Sequence, residues 1–277
     1  MAGAILGRFP GNTKELAAST LSLTRENVPD LISALAYLVG IAAAEIITVY
    51  ANPAWGVAVH ATIFLALIVH SALTASDAVR QRFLLSLSLA PLTRIVSLAM
   101  PLVRLPQLWW YAIIYPPLLV AALVTMRITG LSRRAVGLTR GRVWLQLGIA
   151  VSGLVIGVLE YLILRLDPLI THLSWQTVIF PAFLLVMTTG FVEELIFRGV
   201  MQQTASARFG WGGIVYVSLV FAVLHLGFFS WLDVAFVFAI AVFFGWAVKR
   251  TGSLLGVTLA HGITNAILYL IAPLLLG

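Results

Sequence analysis

Cysteine is absent from the 277 residues, which removes disulfide frameworks, thiolate chemistry and cysteine-ligated zinc from consideration. Charge is nearly as scarce. Asp, Glu, Lys and Arg make up 10% of the chain, against roughly 25% in an ordinary soluble domain, and lysine occurs twice beside 15 arginines. So thin a polar complement cannot cover a water-soluble fold of this length, and lipid is the expected solvent. The net charge of +7 would suggest nucleic acid in a soluble protein; here its use is to set orientation, and no nucleic-acid partner is expected. The first 30 residues, with Arg8, Lys14, Glu15, Arg25, Glu26 and Asp30, lack the short apolar core and small-residue cleavage site of a signal peptide. They are expected to form a retained arm, 1–30.

What the chain has in quantity is apolar surface, 61% of its residues. Runs of near 20 such residues, the length that crosses a hydrocarbon core as a helix, recur at about 31–50, 54–75, 83–103, 107–126, 144–164, 176–200, 212–231, 233–248 and 253–275. They predict an all-α fold: a polytopic transmembrane bundle of eight or nine helices, with membrane lipid as its surroundings and no internal repeat. The third run decides the count, because Leu89-Ala90-Pro91-Leu92-Thr93-Arg94 places a proline and a charge inside it. A kinked, re-entrant or interfacial element is compatible with that. With the N-terminus cytoplasmic, fourteen of the seventeen basic residues fall on the cytoplasmic side and only Arg104 and Arg165 on the other, with Arg94 inside the third run. That is the bias of the positive-inside rule. The stretch 127–143 is then a basic cytoplasmic loop between N-terminal helices at 31–126 and C-terminal helices at 144–277. Arginine and alanine in preference to lysine point to a prokaryotic cell membrane.

Ionisable groups at membrane depth are costly and turn toward partners or cavities. Glu45, Arg94 and Glu160 are single charges on separate runs and are expected to pair between helices; His60 and His70 are expected to hydrogen-bond between helices. Three further constellations lie in the C-terminal part. The first is Gly190-Phe191-Val192-Glu193-Glu194-Leu195-Ile196-Phe197-Arg198, in which Glu194 and Arg198 are i, i+4 neighbours, the spacing at which carboxylate and guanidinium meet on a helix. Glu193 points about 100° away. That suggests a division of labour in which Glu194 is neutralised by Arg198 and Glu193 faces a cavity as a base, although a helix end leaving the membrane would also carry two glutamates and an arginine. The second places Phe221 and His225 on one helix face, and the third does the same for His261 and Asn265. Three helices can so bring a carboxylate, two imidazoles and an amide toward one plane, in a polar cavity expected in the cytoplasmic half.

In this order, Glu193-Glu194-x-x-x-Arg198, Phe221-x-x-x-His225 and His261-x-x-x-Asn265 resemble the EExxxR, FxxxH and HxxxN motifs of the type II CAAX prenyl endopeptidases (the Ras-converting enzyme family) and their prokaryotic relatives, the CPBP or abortive-infection membrane proteins. The resemblance covers about residues 176–275; residues 1–143 carry no matching motif. It implies an intramembrane glutamic peptidase in which Glu193 and His225 activate water and His261 and Asn265 stabilise the oxyanion, with Glu194, Arg198 and Phe221 in support. The implied substrate is a membrane-associated or lipidated peptide or protein, cut near its C-terminus. General-base chemistry needs no cofactor, yet a glutamate with two histidines is also a common zinc set. No HExxH is present, and Asn265 stands where a second imidazole would be expected one turn after His261. From other classes, an immunity or binding protein, or a transporter with a proton relay, stays open.

Overall fold

The computed structural model describes residues 28–277 except Pro101. Along these residues run nine helices long and apolar enough to cross a membrane: α1 (Val28–Tyr50), α2 (Pro53–Leu73), α3 (Ala78–Ala99), α4 (Gln107–Thr129), α5 (Val143–Leu164), α6 (Trp175–Phe209), α7 (Trp211–Phe228), α8 (Trp231–Thr251) and α9 (Leu255–Leu276). The helix class and the upper of the two expected counts are thereby shown. The expected arm overlaps α1 at its end, since Val28, Pro29 and Asp30 are already helical; the rest of it lies outside the described residues. The expected loop at 127–143 overlaps α4, which continues to Thr129.

Local chemistry fixes where the helices start. Asn52 accepts a hydrogen bond from the Ala54 amide at 2.8 Å with Pro53 in the first turn of α2, where a missing N–H costs nothing. Asp77 accepts from the amides of Val79 and Arg80 at 3.1 Å each to open α3, and Ser174 with Thr177 forms a reciprocal capping box at α6. The third apolar run is a kinked span. Two helical pieces, Ala78–Leu87 and Leu89–Ala99, meet at Ser88, because Pro91 has no N–H to give the carbonyl of Leu87, four residues earlier.

Small residues decide how closely the C-terminal helices pack, as they do where lipid supplies no hydrophobic drive between helices. A Cβ added at Gly153 of α5 would lie 2.3 Å from the carbonyl oxygen of Ala260 on α9; one at Gly190 of α6 would lie 2.7 Å from that of Thr258; one at Gly262 would lie 2.5 Å from the Val186 side chain. Helices α5 and α6 therefore press on α9 backbone to backbone. The N-terminal helices clasp this group. Asp30 of α1 is buried and ion-paired to Arg80 at 2.9 Å and to Arg208, Ser86 of α3 bonds Thr204 at 2.5 Å, and the Tyr216 hydroxyl donates to the carbonyl of Ala34 at 3.0 Å. Trp55, Trp144, Trp175 and Trp231 stay exposed in the first turns of α2, α5, α6 and α8, where amphipathic rings sit at a membrane interface.

Candidate active site

Helix α6 is 35 residues long, about 50 Å at the α-helical rise, and it leaves regular α geometry where the motif lies. Val186–Glu193 and Leu195–Met201 are wound as π-helix, a distortion that recurs at functional sites. Here it carries the two glutamates past the faces of α9, α7 and α4.

Glu194 has no solvent exposure, and its Oε1 accepts from Arg198 Nη1 at 2.9 Å and from His261 Nδ1 at 2.8 Å. Arg198, itself 2% exposed, lies with its guanidinium 4.3 Å from the centroid of the Phe221 ring, so the cation is held by a carboxylate edge-on and by a π face. Glu193 is differently placed. Its side chain is 17% exposed, Oε2 lies 3.8 Å from His261 Nε2, and Oε1 accepts a hydrogen bond from the Tyr115 hydroxyl of α4. His225 Nδ1 lies 3.0 Å from the carbonyl oxygen of Phe221. A carbonyl only accepts, so this nitrogen carries the proton and Nε2 is the ring atom left for other partners. The ring of Phe221 packs against both imidazoles, 4.8 Å from His225 and 6.0 Å from His261 between centroids. Asn265 sits one turn beyond His261 on α9.

A cavity of about 370 Å³ takes in all seven residues expected from the motifs: Glu193, Glu194, Arg198, Phe221, His225, His261 and Asn265. From these groups it extends to Ser97, Gln107 and Phe228, which stand near the ends of α3, α4 and α7. Helix α6 continues past Arg198 to Phe209, which sets the glutamates deeper than a helix ending near residue 200 would. Among the described residues no three His, Asp or Glu side chains are grouped to hold a metal ion; Glu193, His225 and His261 are the groups with the donor chemistry for one.

Among the lining residues outside the motifs are Tyr115, Glu160 and Arg94. Tyr115 was missed, though Tyr111 and Tyr115 stand one turn apart in an otherwise apolar helix. Glu160 borders the cavity without a direct hydrogen bond to another described side chain. Arg94 also borders it, and its partner is Glu45: Nε and Nη2 donate at 2.6 and 2.8 Å, while His60 Nε2 lies 3.0 Å from the same carboxylate. Of the three lone charges, two therefore pair across helices and one does not. His70 bridges Tyr37 at 3.0 Å and Arg80 at 3.1 Å, as a helix-to-helix hydrogen-bonding group should.

An acid–imidazole cluster shared by three helices of a polytopic all-helical protein thus opens on a cavity. Residues 174–267 match the family model described as type II CAAX prenyl endopeptidase, Rce1-like. The matched segment contains all three motifs and supports a CAAX-type intramembrane protease in general terms. Neither the curated proteins nor the solved structures returned a match to the chain.

Proposed function

We propose that the chain is a glutamate-dependent intramembrane endopeptidase in which Glu193 is the general base. The observation that carries this is the unequal commitment of two adjacent carboxylates. Glu194 is bound to Arg198 and His261 on one oxygen, whereas Glu193 keeps Oε2 toward the cavity while Tyr115 occupies Oε1. A water between Glu193 and His225 Nε2 loses a proton to Glu193 as its oxygen attacks the scissile carbonyl carbon. The negative charge moves to the carbonyl oxygen, where the Asn265 amide donates; His261, held through Nδ1 by Glu194, adds an Nε2–H donor in its imidazolium form. Glu193 then passes its proton to the departing nitrogen, the C–N bond breaks, and the products are a carboxylic acid and an amine. No covalent intermediate is formed. On this reading the substrate is a membrane-associated or lipidated peptide cut near its C-terminus, and the N-terminus of the enzyme is cytoplasmic.

The test is cleavage of a peptide library by detergent-purified protein, with Glu193→Gln beside the wild type and with and without a strong chelator. Wild-type cleavage is expected to survive chelation, and Glu193→Gln to abolish turnover while melting unchanged. Cleavage undiminished in Glu193→Gln removes the reading. Activity lost on chelation and restored by zinc would keep the peptidase and replace its mechanism by a metal-assisted one, since released metal can be added back.

A further inference from the structure

The two ends of the cavity are built differently. At one end the walls are Phe197, Arg198, Phe221 and Phe244, none more than 6% exposed. Beneath them lies the basic loop itself: Val136 is fully buried, its carbonyl oxygen is 3.1 Å from where a Cβ on Gly199 would stand, and its neighbour Gly137 accepts the Leu254 amide at 2.8 Å. The loop is also bolted to the α8–α9 corner, with Thr139 Oγ1 donating to the carbonyl of Gly252 at 2.8 Å and Ser253 Oγ to that of Thr139 at 2.6 Å. The other end is lined by helix termini. Ser97 is near the end of α3, Gln107 is the first residue of α4, and Phe228 is the last of α7; Gln107 and Phe228 are exposed. At this end the cavity reaches exposed residues, Gln107 and Phe228, which offer an entering chain a route.

The alternation of nine spans puts residues 97–107 and 228 on the face opposite the loop between α4 and α5. That loop carries Arg133, Arg134, Arg140 and Arg142, and the other turns on its side add Arg80, Arg208, Lys249 and Arg250; the opposite face has Arg104 and Arg165. So strong an asymmetry keeps the basic face in the cytoplasm. We propose that the site is closed toward the cytoplasm by its basic loop and is loaded from the non-cytoplasmic face. The substrate is then an apolar peptide segment presented at that face, threading past Trp110 and Phe228, and not a peptide presented from the cytosol. What enters rests on the peptidase reading; where it enters does not.

A chain with no cysteine makes the test direct. Single variants Gln107→Cys and Ser97→Cys report the mouth, Thr171→Cys the α5–α6 loop on the same face, and Ser132→Cys the basic loop. Intact cells are treated with a membrane-impermeant maleimide before and after permeabilisation. The expected result is labelling of Thr171→Cys and Gln107→Cys from outside, slower labelling of Ser97→Cys from outside, and labelling of Ser132→Cys only after permeabilisation. Gln107→Cys and Ser97→Cys becoming reactive only together with Ser132→Cys overturns the proposal through the cavity, and so does a Gln107→Cys that reacts under neither condition. Ser132→Cys reacting from outside with Thr171→Cys protected overturns it through the orientation. None of these readouts needs turnover, so failure of the peptidase reading leaves the accessibility result standing.

Discussion

Glu193 and Glu194 are neighbours in the chain and opposites in duty because a helix sends consecutive side chains to different partners. One meets Arg198 and His261, the other meets Tyr115 and the cavity. Tyr115 touches no proposed reacting atom except through Glu193, which makes it a positioning residue. Tyr115→Phe removes one hydrogen bond to a carboxylate, an interaction typically worth about 1.5–3 kcal/mol, and is expected to lower kcat about ten- to a hundredfold with KM and melting temperature nearly unchanged. Steady-state kinetics of Tyr115→Phe check this, and thermal melting is repeated in the inactive Glu193→Gln background, where the change should likewise leave stability unmoved. A merely structural tyrosine would instead lower the melting temperature in both backgrounds. The motif residues were legible because ion pairs and paired polar groups within a helix must recur at i, i+4. Tyr115 was not, because an isolated aromatic in an apolar run reads equally as packing, and only the fold brings α4 against α6.

At the scale of the helices, hydropathy and length identify all nine spans and place most ends within a few residues, since lipid enforces a minimum apolar run. It misses two features of α6 that shape the site. The π-wound turns have no compositional signature, and the final turns from Gln202 to Phe209 are too polar to read as membrane span although they continue the same helix. The contact of α6 with α9 is the joint on which the cluster depends, because Glu194 on one helix must reach His261 on the other. Gly262→Ala would put a Cβ 2.5 Å from Val186 Cγ2 and 2.7 Å from its Cα, so the helices must part. Overpacking of this kind costs about 1–3 kcal/mol, and a misplacement near 1 Å in a catalytic site can cost about a hundredfold in rate. Gly148→Ala on α5 is the control, since nothing lies within 4 Å of its added Cβ; it should leave both rate and stability close to wild type. Thermal melting and turnover of the two variants decide the matter, and equal effects in both would show that the α6–α9 contact is slack.

For the molecule as a whole, the question is what the N-terminal helices contribute, since the family match begins only at residue 174. They give the cavity a wall and fasten it. Glu45 of α1, His60 of α2 and Arg94 of α3 form one cluster, with Glu45 and His60 at zero exposure and Arg94 bordering the cavity. The sequence showed these charges as isolated because they lie on three separate spans, and pairing between spans is a property of packing. Two of the three Arg94 nitrogens are spent on Glu45. Removing the guanidinium leaves a carboxylate at zero exposure with the His60 ring as its remaining neighbour, and breaking a buried pair from one side costs about 3–5 kcal/mol. Arg94→Ala is expected to lower stability by that amount, and Glu45→Gln added to it to recover most of the loss, because the uncompensated charge and not the missing contact is the larger penalty. Reversible unfolding in mixed micelles measures both steps. If the double variant is no more stable than Arg94→Ala, the cluster works through packing at the cavity wall; recovery of stability without recovery of turnover would separate the fastening of the three helices from what Arg94 does at the edge of the site.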